Sequence, residues 1–312
     1  MLMTIENQTI VLGLLARDCK ESLLRNIPRV EAVGQAFKDY HVIIYENDSK
    51  DGTMEELQAW AARNPHVVAI CETTSQTTIP QKSKRSPYPL KSVYRIERMA
   101  RFRNRVLDEV RSRFTPDIFC FMDIDIECFS PQSVIDAICQ APADWGGLFA
   151  SGHFLFEKAD GTELMPSFQY DAYAFVPEGI DPMQTGAWII SSHFHKVTAW
   201  YFNHLVHRHE YLPCQSAFNG IGIYRWEAIS DLSYRVMQTS ELQKVDACFC
   251  EHVALNSAVS RKGYRLYVAQ KMEVIYYHKR LTFIRRLDHW LKSYQARKLL
   301  AEGRHPYGQN LL

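Results

Sequence analysis

The chain has 312 residues, of which 46% are hydrophobic and 23% charged, so it can bury a sizeable core and long disordered stretches are not expected. Lys+Arg 36 against Asp+Glu 35 leaves a formal net charge of +1, which argues against nucleic acid as a partner because nucleic-acid binders carry a basic excess. No apolar run approaches the roughly 18 residues of a membrane span, and the N-terminus lacks the basic segment of a signal peptide. We expect a cytoplasmic protein with reduced cysteines.

The first half of the chain alternates predicted strands and helices. Residues 9–16 (TIVLGLLA) form a continuous apolar run, which is typical of a strand covered on both faces. Pro28 interrupts the first helical pattern and is a candidate break. Repeats at this spacing predict an α/β fold with a mostly parallel sheet and right-handed crossovers. The predicted strands are 9–16, 42–45, 67–71 and 118–122, and the predicted helices are 22–37, 54–62, 93–110 and 131–139.

The remaining segments are more varied. Residues 72–88 are polar and read as a lid, a binding loop or a disordered excursion. After residue 145 the pattern becomes mixed, with late strands at 264–268 and 273–277. From Leu281 the chain forms a basic amphipathic helix. Such a helix suits an anionic membrane surface, a homodimer contact or packing on the domain itself.

Polar side chains follow three of the predicted strands, where ligands of open α/β sheets bind. Neither GxGxxG nor GxxxxGK[ST] follows any of them, which argues against a dinucleotide site and a P-loop. Asp123 and Asp125 flank one residue of extended chain, so their carboxylates point to the same side. Such oxygen ligands suit Mg²⁺ or Mn²⁺ bridging to phosphates. The alternative is an acidic stretch before a helix whose N-cap is Ser130.

The helix before that strand is rich in arginine. Arg98, Arg101 and Arg105 fall on one side of it and could form a solvated face. Arg103 and Asn104 lie off this stripe, where they could face the carboxyl edge of the sheet and a diphosphate.

Four segments, in this order and spacing, resemble a known family. The strand 9–16, then YENDSKDGT, then ARFRNRVL and then IFCFMDIDI are similar to the nucleotide-sugar glycosyltransferases of the GT-A fold, which carry a D-x-D motif. Within that group the chain looks most like fungal-type mannosyltransferases, including the capsule-associated α-1,3 type. The resemblance covers residues 9–140 well and implies a GT-A-like domain over 1–280. Its halves would be nucleotide-binding (1–140) and acceptor-binding (141–280), followed by a helix and tail at 281–312.

The resemblance also implies roles for individual residues. Mn²⁺ or Mg²⁺ would be held by Asp123 and Asp125, and by His278 after the last strand. The donor would be a GDP- or UDP-linked sugar, and the acceptor a glycan or a lipid-linked glycan. The implied nucleotide and diphosphate contacts are Ala16, Arg17, Glu46 (to the base), Asp48, Arg103, Asn104 and Lys279.

The second half offers further candidates. Asn219 and Gly220 could pass close to the donor sugar, since glycine lets the backbone approach a ligand; the alternative is a tight turn or bulge. Glu251 opens a predicted helix, and it is the first candidate for the catalytic carboxylate, with Asp171 second. The histidines between 193 and 209 match no metal motif, and the last three are expected to be solvated near a helix end: His204, His207 and His209.

Taken together, these features predict a metal-dependent hexosyltransferase acting from a nucleoside-diphosphate sugar. A sugar-1-phosphate nucleotidyltransferase is the alternative on the same fold, although the first loop, LLARDCKES, is not the glycine-rich, basic loop that such enzymes usually carry. An inactive glycan-binding module is the alternative from another class, and the intact Asp123/Asp125 pair argues against it.

Overall fold

The computed structural model describes residues 4–84, 86–157, 164–279 and 282–308, and of residues 156–157, 164–167, 277–279 and 283 it describes the backbone alone. Strands and helices alternate in the first half, as predicted. The strands are β1 Thr9–Ala16, β2 Asp39–Asn47, β3 Val67–Glu72, β4 Ile118–Asp123, β5 Cys128–Phe129, β6 Trp145–Glu157, β7 Leu164–Gln169, β8 Val176–Pro177, β9 Tyr211–Ser216, β10 Ile221–Arg225 and β11 Arg265–Lys279. The helices are α1 Lys20–Gln35, α2 Thr53–Arg63, α3 Val93–Arg113, α4 Pro131–Cys139, α5 Ser192–Val206, α6 Trp226–Ile229, α7 Ser240–Gln243, α8 Glu251–Arg261 and α9 Phe283–Ala301.

One sheet runs through the described residues in the order β3-β2-β1-β4-β10-β6-β11-β9-β8. The first four strands are parallel, whereas β10 runs antiparallel to both β4 and β6. The predicted α/β class, with a sheet between helices and a C-terminal helix, is confirmed. The parallel part supplies the strand ends that were expected to bind a ligand.

The core lies on both faces of this sheet. Along β1, Ile10 and Leu12 face α1, α2 and α4, whereas Val11 faces α3, α5 and α8. Helix α3 packs closely on β1 at Gly13, because a Cβ there would lie 2.9 Å from the side chain of Val106 on α3. This close approach fixes the height of α3 over the carboxyl ends of the strands.

Two details differ from the sequence-based expectation. Helix α1 continues through Pro28 without a break. The carbonyl that loses its bond to Pro28 belongs to Leu24, which is 45% exposed, so water can replace the missing donor. The two predicted late strands form one strand, β11, whose pairing with β6 shifts register between Val268 and Glu273.

The C-terminal helix α9 packs against α5. Lys196 on α5 pairs with Asp288 at 2.5 Å, and His204 lies 3.2 Å from the hydroxyl of Ser293. His204 is therefore half-buried between two helices, whereas it was expected to be solvated. In the part of the chain that the structure describes, no helix is both long and apolar enough to cross a membrane.

Candidate functional site

A cavity of about 720 Å³ opens at the carboxyl ends of β1, β2 and β4. It brings together a large part of the residues predicted from the sequence. Its walls include Ala16, Arg17, Arg103, Asp123, Asp125, Asp171 and Glu251. The segment after β3 closes one side, where the Arg17 guanidinium donates to the Thr78 hydroxyl at 2.7 Å.

Asp123 and Asp125 form the acidic floor of the cavity. The Asp123 amide donates to the Gly220 carbonyl at 2.8 Å, which fixes the end of β4. Burial raises the pKa of Asp123 to about 7; Arg103 lowers it, and Asp125 raises it further. Desolvation also raises the pKa of Asp125, which accepts a hydrogen bond of 3.4 Å from the Tyr276 hydroxyl. Two carboxylates held this way are costly unless a cation joins them.

Arg103 is the cation built into this floor. It is 3% exposed, and its Nε donates to Glu251 Oε1 at 3.0 Å while Nη2 lies 3.6 Å from Asp123 Oδ1. The guanidinium stacks over the rings of Phe121 and Phe218, at 4.5 and 4.9 Å. Its Nη1 is buried and has no hydrogen-bond partner among the described residues. One arginine therefore interacts with two carboxylates, and one of its N–H groups remains without a hydrogen-bond partner among the described residues.

Asp171 lies on the wall next to this group. Its Oδ1 accepts a hydrogen bond of 3.2 Å from the Ala174 amide. Burial raises the pKa of Asp171 to about 6, and the charge of Glu251 adds to the shift. A carboxyl with a pKa near neutrality, facing a cavity, has the properties of a general base or acid.

Asn219 and Gly220 lie behind the wall and do not line the cavity. Asn219 has a φ of 54° and Gly220 a φ of 88°, so the pair makes the tight turn that was the alternative reading. The side-chain Oδ1 of Asn219 accepts from the Asp171 amide at 3.1 Å, and its Nδ2 donates to the Ala150 carbonyl and to Gln169 Oε1, at 2.8 and 3.0 Å. The two residues position Asp171 and Asp123, and neither lines the cavity in which a sugar would bind.

The acidic turn after β2 also differs from expectation. Glu46 is 1% exposed, and its Oε1 accepts from the Ser49 amide at 2.7 Å, so it holds the turn together. Asp48 accepts from the Thr74 amide at 2.8 Å and fastens the turn to the segment after β3. Desolvation opposes ionisation of Asp48, but hydrogen bonds from the Thr74 hydroxyl, the Asn47 side chain and the Ser75 and Thr74 amides lower its pKa below the ordinary value. The residue of this turn that lines the cavity is Asn47.

Helix α3 presents a different face from the one that the arginine count suggested. Asn104 exchanges hydrogen bonds with the Tyr234 backbone, at 2.9 and 2.8 Å, and ties down that segment away from the cavity. Arg103 does face the cavity, as predicted. Three other α3 residues line the cavity: Arg95, Met99 and Phe102. Arg95 and Met99 precede Arg103 at steps of four residues, a periodicity that is visible in the sequence.

Other cavity residues escaped the sequence analysis. Lys91 precedes α3, and His195 belongs to the histidine group for which no metal motif was found. Tyr276 stacks on Tyr170 with ring centroids 3.6 Å apart, and their pairing joins β11 to the segment after β7. The side chains of His278 and Lys279, predicted to meet metal and phosphate, lie outside the described residues.

Comparison with known proteins places the chain in a family. Residues 16–255 match the family model described as Cryptococcal mannosyltransferase 1. Solved structures similar to this chain include the mannosyltransferase PcManGT from Pyrobaculum calidifontis in complex with GDP-Man and Mn²⁺ (TM-score 0.45, 10% identity) and TarS 1-349 from S. aureus (TM-score 0.44, 12% identity). Each similarity covers 94% of this chain and 64% of the other. No curated protein sequence matches significantly. Since the family match spans well over half of the chain, the protein belongs to this mannosyltransferase family.

Proposed function

We propose that this protein transfers a hexosyl group, mannosyl in keeping with its family, from a GDP- or UDP-linked sugar to a hydroxyl of a glycan or lipid-linked acceptor. The observation that supports this most is the charge of the cavity floor. The carboxylates of Asp123, Asp125, Asp171 and Glu251 surround a single guanidinium, that of Arg103. A floor with this deficit of positive charge suits a substrate that brings a divalent cation with it.

The carboxylate pair fits Mn²⁺ or Mg²⁺ in its chemistry. Both Asp123 and Asp125 are hard oxygen ligands, and burial raises the pKa of each. In the described residues, no group of three or more His, Cys, Asp or Glu side chains is arranged to hold a metal by itself. That fits a site completed by donor phosphates, because Mg²⁺ is usually held by one or two carboxylates and the substrate. When bound, the cation would neutralise the diphosphate leaving group.

The chain's own residues would divide the remaining work. Ala16, Arg17 and Asn47, at the ends of β1 and β2, form the wall that would receive the nucleoside. Arg103 would donate from its unpartnered Nη1 to the leaving diphosphate, held in place by Glu251 and its two aromatic neighbours. A donor fixed before the reaction stabilises charge as it develops and needs no reorganisation.

For the catalytic carboxylate the geometry favours Asp171 over Glu251. Glu251 is bound to Arg103 and 3% exposed, so its proton-accepting oxygen is engaged. Asp171 has the pKa suited to proton transfer near neutrality. We therefore assign Asp171 to the acceptor hydroxyl or the anomeric centre, and Glu251 to positioning Arg103.

The nucleotidyltransferase alternative gains nothing from the structure. The residues that follow β1, Arg17 and Asp18, carry no glycine-rich phosphate loop, and the Arg17 side chain is engaged with Thr78. For an inactive glycan-binding module, the costly Asp123/Asp125 pair would have no purpose.

The exposed face of α9 suggests where the acceptor is met. An apolar stripe on this helix is open to solvent, although its opposite face packs on α5. Arg285, Arg297 and Lys298 are also exposed on the helix. We assign this stripe to an anionic membrane surface, because apolar and basic groups together bind such surfaces. The stripe consists of Ile284, Leu287, Trp290, Leu291 and Tyr294.

Vesicle co-sedimentation tests this assignment. Trp290→Glu should abolish binding to phosphatidylserine-containing vesicles, whereas Leu24→Glu, at a 45% exposed site on α1, should not. The stripe would instead belong to a homodimer interface if wild-type protein did not bind the vesicles and was a dimer in solution, and if Trp290→Glu was a monomer.

A thermal-shift experiment tests the donor site. GDP, UDP and CDP are compared with and without Mn²⁺, and one nucleotide should raise the unfolding midpoint in a Mn²⁺-dependent manner, since a ligand of the native state stabilises by mass action. Asp125→Asn should remove that dependence. Asp108→Asn, on the solvent side of α3, is the matched control. No nucleotide shift at all, with or without Mn²⁺, would contradict the proposed donor.

A further inference from the structure

The end of the cavity away from the acidic floor has the opposite charge. Lys91, Arg95 and His195 line it together with the ring of Tyr173. Lys91 and Arg95 form no ion pair with any residue that the structure describes. Cations without acidic partners, on the wall of a cavity, imply that an anion normally completes the site.

Lys91 is the main feature of this end. Its Nζ donates to the Ile190 carbonyl at 2.6 Å and lies 5.7 Å from the centroid of the Tyr173 ring. Burial lowers the pKa of Lys91 to about 7, and no carboxylate counteracts the effect. An ammonium in this position lowers stability unless a ligand uses it.

The side chains of His195 and Arg95 line the same region. His195 Nε2 is buried and has no hydrogen-bond partner among the described residues. Burial, together with the charge of Lys91, lowers the pKa of His195 to about 3, so the ring is neutral. The Nε of Arg95 is also buried and likewise lacks a partner in the described chain. The arrangement offers two charges and one neutral imidazole to a single ligand group.

Lys91, Arg95 and His195 lie apart from the place where the diphosphate of the nucleotide sugar is expected. Arg95 precedes Arg103 by eight residues on the same face of α3, which is about 12 Å along the helix axis. Arg103 contacts Asp123 on the acidic floor, where the diphosphate is expected. The basic end is therefore about two helical turns from the reacting centre.

We infer that Lys91, Arg95 and His195 form an acceptor subsite that binds an anionic group, either the carboxylate of a uronic acid or a phosphate, at a distance from the hydroxyl that is glycosylated. The inference rests on the proposed function, because it presumes that the acidic floor takes the donor. The inference adds the chemical class of the acceptor to the proposed function. The acceptor would carry a negative charge one or more sugar residues away from the sugar that receives the hexose.

Matched acceptors test the subsite. Transfer to a neutral mannoside is compared with transfer to the same mannoside extended by glucuronic acid, and to one extended by a sugar phosphate. Lys91→Met should raise the KM of one or both charged acceptors by about tenfold or more, since hydrogen bonds to charged groups are strong. The KM of the neutral acceptor and the affinity for the nucleotide should not change. Arg95→Gln is the second variant, and Arg101→Gln, exposed on another face of α3, is the control.

Two measurements without turnover complete the test. Calorimetric titration of the charged acceptors should show binding to wild type that Lys91→Met weakens. Lys91→Met should also raise the unfolding midpoint, because it removes a half-buried cation that has no acidic partner among the described residues. Binding of this kind without transfer from any nucleotide sugar would support the anion subsite while contradicting the proposed function. Transfer with equal KM for all acceptors in wild type and Lys91→Met would overturn the subsite and leave the proposed function intact. A loss of GDP or UDP affinity in Lys91→Met, with the acceptors unaffected, would also overturn it.

Discussion

The buried pair of Arg103 and Glu251 makes a quantitative prediction. The Arg103→Met change keeps much of the side-chain volume but leaves the Glu251 carboxylate, 4% exposed, without its cation. Breaking a buried ion pair by removing one partner costs roughly 3–5 kcal/mol, because the remaining charge is buried without compensation. We therefore expect Arg103→Met to lower the free energy of unfolding by about 3–4 kcal/mol at pH 7.

Urea unfolding followed by tryptophan fluorescence measures this loss at pH 7. The double variant Arg103→Met/Glu251→Gln should recover more than half of it, because the uncompensated charge is gone. A loss below about 1 kcal/mol would refute the reasoning, and so would a double variant that costs the sum of the two single variants.

Three further outcomes are expected. Asp171→Asn should lower turnover by roughly two to four decades with donor affinity unchanged, the scale of general acid–base catalysis, whereas equal turnover would return the role to Glu251. Burial raises the pKa of Asp171, so its contribution to stability is present below about pH 4 and is lost as the pH rises through about 6. The unfolding midpoint of Asp171→Asn should therefore change less with pH between these values than that of wild type. A variant whose midpoint has the same pH profile as wild type would count against this. Asn219→Ala should lower the free energy of unfolding by about 1–3 kcal/mol, because its side-chain hydrogen bonds are lost. Asn219→Gly should lower it by about 1 kcal/mol less, because glycine tolerates a φ of 54°. Equal losses in the two variants would show that backbone strain does not contribute.

The sequence could predict the parallel half of the sheet and the acidic floor, since both depend on local pattern. Asp123 ends the apolar strand β4 and Asp125 lies in the turn directly after it, so their closeness along the chain places both at the same strand end. The role of Asn104 could not be predicted, because it exchanges hydrogen bonds with the backbone of Tyr234, whose position depends on the tertiary fold. Glu46 instead accepts from the Ser49 amide three residues along the chain, within one local turn.

The basic end of the cavity shows the same limit. Arg95 and Arg103 share a helical face, which the spacing reveals. His195 reaches the same cavity only because α5 packs across the sheet from a distant part of the chain. Similarly, no local signal indicates that Asn219 holds the Asp171 amide.

Direct detection of transfer tests the central claim. The protein is incubated with GDP-mannose, or a UDP-hexose, with Mn²⁺ and a mannoside acceptor, and the products are resolved by mass spectrometry. We predict a product whose mass exceeds that of the acceptor by one hexose, and that forms only with Mn²⁺ or Mg²⁺. The Asp108→Asn control should make this product, and Asp125→Asn should not. A product that forms equally well in Asp125→Asn, or in the presence of a metal chelator, would contradict the account.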